Sequence, residues 1–373
     1  MTGNRDLNAA KAAKRDEFYT QREDVEAELR HYRPHFTAKT VYLNCDDPYE
    51  SEFFKFFAAQ FNALGLKRLI ATSYSGSPVA GEHLQLDFAG RGIPEAEKSQ
   101  AHMIDIREVA DHNHDGRVDL ADVEWLLRKG GNTWRPLEGN GDFRSSECIE
   151  LLKQADIVVT NPPFSLFREY ITQLIEHGKQ FLVIGHQNAT KYKEIFPLIQ
   201  DGRVWLGVNN GGNKWFRVSD DYDHVQTEAR NKMEDGVRYI SRGDVNWFTN
   251  LDHAKRHERL ELWKQYTPEA YCTYENHEAI NVNKVAEIPE DYHGPMGVPI
   301  TYLDKHNPEQ FEILGVGIAN LGLAAGVRPY KPEHREYRKT IQKRGAVDGD
   351  LYMVVDGEVT VPYSRILIRR RPS

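Results

Sequence analysis

Asp156-Ile157-Val158-Val159-Thr160-Asn161-Pro162-Pro163-Phe164 decides how this chain folds. Ile157–Thr160 is short, β-branched and apolar, the composition of a strand covered on both faces. The two prolines cannot donate to a ladder, and each restricts the residue before it, so the strand ends in an extended turn. Ser165 is placed to cap a helix, because Leu166, Phe167, Tyr170, Ile171 and Leu174 recur at helical spacing. Strand, turn and helix in that order predict an α/β unit whose turn lies at the carboxyl end of the strand, where open sheets of this kind bind ligands.

Outward from this unit the rhythm repeats. Glu23–Tyr32 predicts a helix ended by Pro34, and Thr40–Asn44 a first sheet strand. Asp47, Pro48 and Glu50 supply an N-cap, an N1 proline and a capping-box acid for a helix over Tyr49–Leu64. Its phenylalanines, Phe53, Phe54, Phe56, Phe57 and Phe61, are read as core. Gly65 closes it, and Lys67–Thr72 is the second strand. Ser73–Gly92 is loop-like, and further strands follow at Phe181–Gly185, Val204–Gly207, Arg238–Ile240 and Asn246–Thr249. The expected class is α/β, with a doubly wound, mostly parallel Rossmann-like sheet. Thr267–Ser373 lacks the strand–helix rhythm and holds many of the prolines. The expected organisation is a flexible basic lead-in over 1–15, a main domain over 16–265 and a smaller region over 266–373.

The net charge of −8 argues against a nucleic-acid partner, but distribution counts for more than the sum. Acidic residues gather at Asp46–Asp47, Asp111–Asp122 and Asp220–Asp223. Basic ones gather at Lys11–Arg15, Arg328–Arg344 and Arg365–Arg371. Such stripes either hold a polyanion or form a solvated face, and composition does not choose. No apolar run approaches membrane-spanning length, and Met1–Asp16 is polar and basic, so a cytoplasmic protein with no membrane contact is expected. Cys45, Cys148 and Cys272 are scattered without metal spacing and read as reduced thiols.

The turn itself carries chemistry. The side-chain oxygen of Asn161 and the carbonyl of Pro162 can both accept from one planar amino group, while Phe164 stacks on the ring that bears it. An exocyclic base amine is a poor nucleophile because its lone pair is delocalised into the ring. Two placed acceptors return density to nitrogen, so positioning and electrostatics suffice for attack on a methyl donor. Asn140-Gly141-Asp142-Phe143, just upstream, can hydrogen-bond the adenine of a nucleotide-like cofactor and pack on its ring, or be a plain turn. Asp111, Asn113, Asp115, Asp119 and Asp122 stand at positions one, three, five, nine and twelve of a calcium-type loop, with Gly116 at six. A structural calcium and a metal-free acidic turn both fit. Gly315-Val-Gly317-Ile-Ala-Asn-Leu-Gly322 has the wrong spacing for a dinucleotide fingerprint and is discounted.

Asn161–Phe164 is similar to the signature shared by adenine-N6, cytosine-N4 and glutamine methyltransferases. Taken with Asp16-Glu-Phe-Tyr-Thr-Gln21, Val41–Pro48, Asn140–Ser145 and Gly297–Asp304, the chain resembles the EcoRI-type adenine-specific DNA methyltransferases over nearly its whole length. The resemblance implies a monomeric, S-adenosylmethionine-dependent enzyme that methylates adenine N6 in duplex DNA by base flipping, of bacterial or phage origin, with a paired restriction endonuclease left open. By position it implies that Asn161, Pro162, Pro163 and Phe164 hold the flipped adenine. Phe18, Tyr19 and Thr20 match the cofactor-methionine motif, Asp142 and Phe143 match the cofactor-adenine motif, and Asn161 is a further candidate for cofactor contact. Asn44-Cys45-Asp46-Asp47-Pro48 replaces the usual glycine-rich turn, and Asn44 and Asp46 are the candidates for cofactor contact there. Arg328, Arg335, Arg338, Lys339, Lys343 and Arg344 are the candidate phosphate contacts. A protein-glutamine methyltransferase and a cofactor-free DNA-binding relative remain alternatives.

Overall fold

Ile157–Thr160 forms a strand with all of its residues buried. The structure, a computed structural model, describes residues 19–45, 51–75, 100–116, 118–119, 121–123, 125, 135–218 and 230–372. The basic lead-in, Phe18, Asp46, Asp47, Pro48, most of the loop over 73–92 and the Asp220–Asp223 cluster lie outside the described residues.

The chain divides into two compact units, Met1–Ala189 with Leu206–Asp252, and Thr190–Trp205 with His253–Ser373. In the first, the strands are β1 (Tyr19–Thr20), β2 (Thr40–Asn44), β3 (Arg68–Thr72), β4 (His102–Ile106), β5 (Arg135–Pro136), β6 (Ile157–Thr160) and β7 (Gln180–His186). They continue with β8 (Trp205–Leu206), where the chain re-enters this unit, β9 (Lys214–Arg217), β10 (Asn231–Glu234), β11 (Val237–Arg242) and β12 (Val245–Thr249). The helices are α1 (Arg22–Leu29), α2 (Glu52–Ala59), α3 (Ser146–Gln154) and α4 (Phe167–Glu176).

An eight-stranded sheet runs in the order β5-β4-β3-β2-β6-β7-β12-β8. Its centre, β3-β2-β6-β7, is parallel throughout. The flanking strands β4, β5 and β12 join antiparallel. Side chains alternate across the sheet. Val41, Leu43, Leu69, Ala71, Ile157, Val159, Leu182 and Ile184 pack in one cluster with Val25 and Leu29 of α1 and the phenylalanines of α2. On the opposite face, Phe167 of α4 meets Phe248 at 5.0 Å between ring centroids. This is the doubly wound, mostly parallel α/β sheet that the sequence predicts.

Local differences have physical causes. Within the described residues α2 begins at Glu52, and Ser51 is its cap, accepting from the amides of Phe53 and Phe54 at 3.2 and 3.3 Å. Ser165 does not cap α4; the prolines instead lead into a 3-10 turn over Phe164–Leu166, closed by Leu166 N–H on the Pro163 carbonyl at 3.0 Å. Pro34 sits inside a 3-10 stretch, Arg30–Phe36, that prolongs α1.

A second, antiparallel sheet in the order β1-β9-β11-β10 brings the Tyr19–Thr20 segment against β9, with Thr20 opposite Phe216. One buried carboxylate ties this unit together. Glu28 of α1, fully buried, accepts from the amides of Val208 and Asn209 at 2.8 and 2.7 Å and from the Tyr32 hydroxyl at 2.9 Å.

The second unit holds α5 (Phe196–Gln200), β13 (Ile280–Asn281), β14 (Met296–Pro299), β15 (Phe311–Val316), α6 (Ala319–Ala324), α7 (Pro332–Thr340), β16 (Met353–Val355), β17 (Glu358–Thr360) and β18 (Arg365–Arg370). Its sheet runs β13-β14-β18-β15, with β18 antiparallel to both neighbours. The discounted glycine string serves close packing: a Cβ on Gly315 would fall 2.3 Å from the Ala325 Cβ, and one on Gly322 only 1.9 Å from the Gly349 carbonyl oxygen.

Candidate active site

The carboxyl ends of β2, β3 and β6 gather the residues that the sequence singles out. At the end of β6, Asn161 donates through Nδ2 to the hydroxyl of Thr20, 3.3 Å away. Thr20 is buried and held in register by β9, so the contact orients the amide and turns the Asn161 oxygen away from β1. Among the described residues no hydrogen bond reaches the Pro162 carbonyl. Two acceptors side by side, one side chain and one backbone, are what binding an exocyclic amine requires. Phe164, half-buried, follows directly.

The other candidates divide. The Asn44 oxygen accepts from the Thr72 hydroxyl at 3.2 Å, and the Asn44 carbonyl accepts from the Thr160 hydroxyl. Asn44 is 2% exposed, so it frames the strand ends from within the sheet. The Asn140–Phe143 turn sits beside the end of β3, where Ser75 N–H donates to the Asn140 carbonyl at 2.9 Å. Gly141 has φ +78°, and a Cβ there would fall 2.0 Å from the Ser73 carbonyl oxygen, so only glycine allows this approach. Asp142 is gripped by Arg144: Nε to Oδ1 at 2.9 Å and Nη2 to Oδ2 at 2.7 Å. Burial alone would push the Asp142 carboxyl up, but Arg144 outweighs it and holds it below the usual carboxylate range. Phe143 is buried edge-on to Tyr170, with ring centroids at 5.0 Å, and anchors the turn.

The acidic loop closes on itself. Asp122 accepts from the amides of His112 and Asn113 on one oxygen, at 2.7 and 3.3 Å, and from that of Asp119 on the other, at 3.0 Å. Asp111 accepts from Gly116 N–H at 2.9 Å, Asp115 from the side-chain Nδ2 of Asn113 at 3.1 Å, and Asp119 from Ala121 N–H at 2.8 Å. Among the described residues no group of three or more His, Cys, Asp or Glu side chains could hold a metal ion. The calcium expectation for Asp111, Asn113, Asp115, Asp119 and Asp122 finds no support: Asp111, Asn113, Asp119 and Asp122 accept from backbone amides of the loop, and Asp115 from the Asn113 side chain. Millimolar calcium, or a chelator in metal-free buffer, is expected to leave the melting temperature unchanged in a thermal scan. A rise of several degrees with calcium would restore the cation.

In the second unit the basic residues also divide. Arg335 reaches the Ala346 carbonyl and the Asp348 carboxylate, while Arg338 reaches the Gly345 carbonyl at 2.9 Å, so both brace the loop after α7. Arg328 donates to the Glu275 carbonyl at 3.4 Å. Lys339, Lys343 and Arg344 are exposed.

Three residues beside the turn carry no motif in the sequence: His186 at the end of β7, Arg242 at the end of β11, and Asp244. His186 and Arg242 meet Phe164 through the fold, with Asp244 between them, and the only local hint is the charged Arg242-Gly243-Asp244 turn between two strands. The hydrogen bond from His186 and, against the cost of burial, the fork of Arg242 hold the Asp244 carboxyl far below its ordinary range.

The whole chain matches one family. The match runs over residues 6–371, to the family described as adenine-specific methyltransferase EcoRI. The chain belongs to this EcoRI adenine-specific methyltransferase family. Relatives of the EcoRI family include the type II methyltransferase M.EcoRI of Escherichia coli, 46% identical over 314 residues, which cover 83% of this chain and 89% of that one. M.MpnI of Mycoplasma pneumoniae is 38% identical over 311 residues, covering 83% and 84% of the two chains. M.MgeORF184P of Mycoplasma genitalium is 35% identical over 311 residues, covering 83% and 85%. No solved structure matches the chain. EcoRI-family membership decides what the Asn-Pro-Pro-Phe turn alone leaves open: the acceptor is adenine and not a glutamine side chain.

Proposed function

We propose that this methyltransferase transfers the methyl group of S-adenosylmethionine to N6 of an adenine in a short duplex DNA sequence, with the base turned out of the helix. The observation that carries the reading is the Thr20–Asn161 contact, which fixes the amide with its oxygen turned toward the acceptor role. N6 is enclosed by the base stack, and an enzyme of this chemistry has to extrude the base to reach it. Asn161 and the Pro162 carbonyl then accept from the amine, and Phe164 stacks on the ring.

The strand ends suit the cofactor. The Asp142 carboxylate, on the turn that Gly141 lets approach Ser73, offers an acceptor for an adenine amine. Asp142 Oδ2 takes one hydrogen bond, from Arg144, and a carboxylate oxygen has capacity for a second. Thr20 would lie toward the methionine end, with Tyr19 and Phe18 in the same segment. Bound there, S-adenosylmethionine supplies an electrophilic methyl carbon. The chain's part is to hold the amine in line with that carbon and to accept hydrogen bonds that strengthen as nitrogen becomes tetrahedral.

The 266–373 region is the proposed target-recognition part, and a cytoplasmic monomer with duplex DNA as its macromolecular partner is the proposed working form. Among the described residues no helix is long and apolar enough to cross a membrane. Lys339, Lys343, Arg344 and Arg328 are the proposed phosphate contacts, while Arg335 and Arg338 support the loop after α7 that carries Lys343 and Arg344. A Lys339/Lys343/Arg344 triple alanine variant is expected to bind cognate and random duplexes more weakly to the same degree. Its log K against log salt slope should fall by about one unit for each phosphate left without its cation. Coincident slopes in a folded variant would move the DNA surface elsewhere. Methyl transfer is tested on duplex DNA with adenine at the target position, and extrusion on the same duplex with 2-aminopurine in its place. Emission should rise on binding, and tight specific binding without a rise would count against extrusion.

A further inference from the structure

Phe164 is not alone at the end of its strand. The guanidinium carbon of Arg242 stands 5.5 Å from the centroid of the Phe164 ring. That guanidinium is held as a fork, with Nε and Nη2 each 3.0 Å from one oxygen of Asp244. Nε meets Oδ1 and Nη2 meets Oδ2, and Nε2 of His186 lies 2.7 Å from that same Oδ2. His186 accepts the Asn188 N–H on Nδ1 at 3.0 Å, so its proton lies on Nε2, toward Asp244. The His186 ring is also edge-on to Phe164, with centroids 6.4 Å apart and planes at 85°. The carboxylate is fixed in turn, because the Asp244 carbonyl accepts Gln187 N–H at 2.7 Å and Val245 pairs with His186 across β12 and β7. The Arg242 side chain is 17% exposed, which limits screening of its charge by water.

We propose that Arg242 is a positioning residue for the target adenine, acting through Phe164: it backs one face of the ring and so offers the other face to the base. A bidentate arginine keeps its plane where a lysine would not, because its five donors sit in a rigid fork. His186 and Asp244 set the angle of that fork, and His186 limits tilt of the ring from its edge. The proposal rests on the reading of Phe164 as the surface on which the adenine stacks.

The test is a double-mutant cycle in single-turnover methylation of a duplex, using wild type, Arg242→Ala, Phe164→Leu and the double variant, with Arg242→Lys as a folded control. Arg242→Ala is expected to lower the rate about tenfold with cofactor affinity unchanged, and Arg242→Lys to recover only part of it. In the Phe164→Leu background the same Arg242→Ala substitution should cost less than about twofold, because the ring it acts through is gone. With 2-aminopurine at the target position, the Arg242→Ala complex should emit more strongly than wild type, since a loosely stacked base is less quenched. Equal losses in both backgrounds, or full activity in Arg242→Lys, would overturn the role of Arg242. A Phe164→Leu enzyme that methylates at the wild-type rate would instead remove the stacking reading itself, and the proposal with it.

Discussion

Asn161→Ala lowers the single-turnover methylation rate by on the order of a hundredfold or more while cofactor affinity, read by calorimetry, stays within a few fold. The side chain offers one of two acceptors for the amine, and its contribution grows as nitrogen loses conjugation with the ring, so the loss falls on the transition state. Thr20→Val is the companion variant. Without a hydroxyl to take the Nδ2 hydrogen 3.3 Å away, the amide is no longer oriented by β1, and a smaller loss in the same step is expected. An Asn161→Ala enzyme with near-normal single-turnover rates would remove the turn from the chemistry.

Glu28→Ala unfolds the first unit at markedly lower temperature. Three donors, the half-buried amides of Val208 and Asn209 and the buried Tyr32 hydroxyl, lose their acceptor at once. A buried donor without a partner costs about 1–3 kcal/mol, so a loss on the order of 4 kcal/mol and a fall of roughly 10 °C are expected. Glu28→Gln keeps one acceptor oxygen but turns an amide NH2 toward N–H donors, and should fall between the two. The space is as tight as the bonding, since a Cβ on Gly207 would come 2.3 Å from Glu28 Oε1. Unchanged melting of Glu28→Ala would mean that water replaces the carboxylate.

The parallel core was legible because its strands are buried on both faces and therefore read as continuous apolar runs, as in Thr40–Asn44 and Ile157–Thr160. β4, His102–Ile106, was not foreseen: His102 and Asp105 break the apolar run, although both are buried. His102 meets the Ser73 hydroxyl through Nδ1 at 2.9 Å and Asp105 meets Arg68, partners that only the fold supplies. The caps failed for a related reason. Asp47 and Ser51 both suit the start of a helix, and Ser165 has a hydroxyl in reach of one, but the two prolines before Ser165 fix the backbone into a 3-10 turn.

The site was legible where its residues are contiguous. Asn161–Phe164 carries its chemistry in four consecutive positions, and Asn140–Phe143 its turn in another four. Pairings across the fold left no trace in the pattern: Thr20 with Asn161, and Arg242 with Phe164, meet because the small antiparallel sheet reaches the end of β6. The calcium-type spacing of Asp111–Asp122 left two readings open for the opposite reason. Oxygen side chains at those positions satisfy backbone amides of a tight turn as readily as they bind a cation.

The most direct measurement is the chemical identity and position of the modified base. DNA from cells expressing the wild-type chain, and separately the Asn161→Ala variant, is digested to nucleosides and sequenced with base-modification readout. The expected result is N6-methyladenine at one fixed position in every copy of a single short sequence, absent in the Asn161→Ala cells. Methyl groups on cytosine N4, N6-methyladenine scattered without a sequence, or unmodified DNA from cells holding folded wild-type protein would each contradict it.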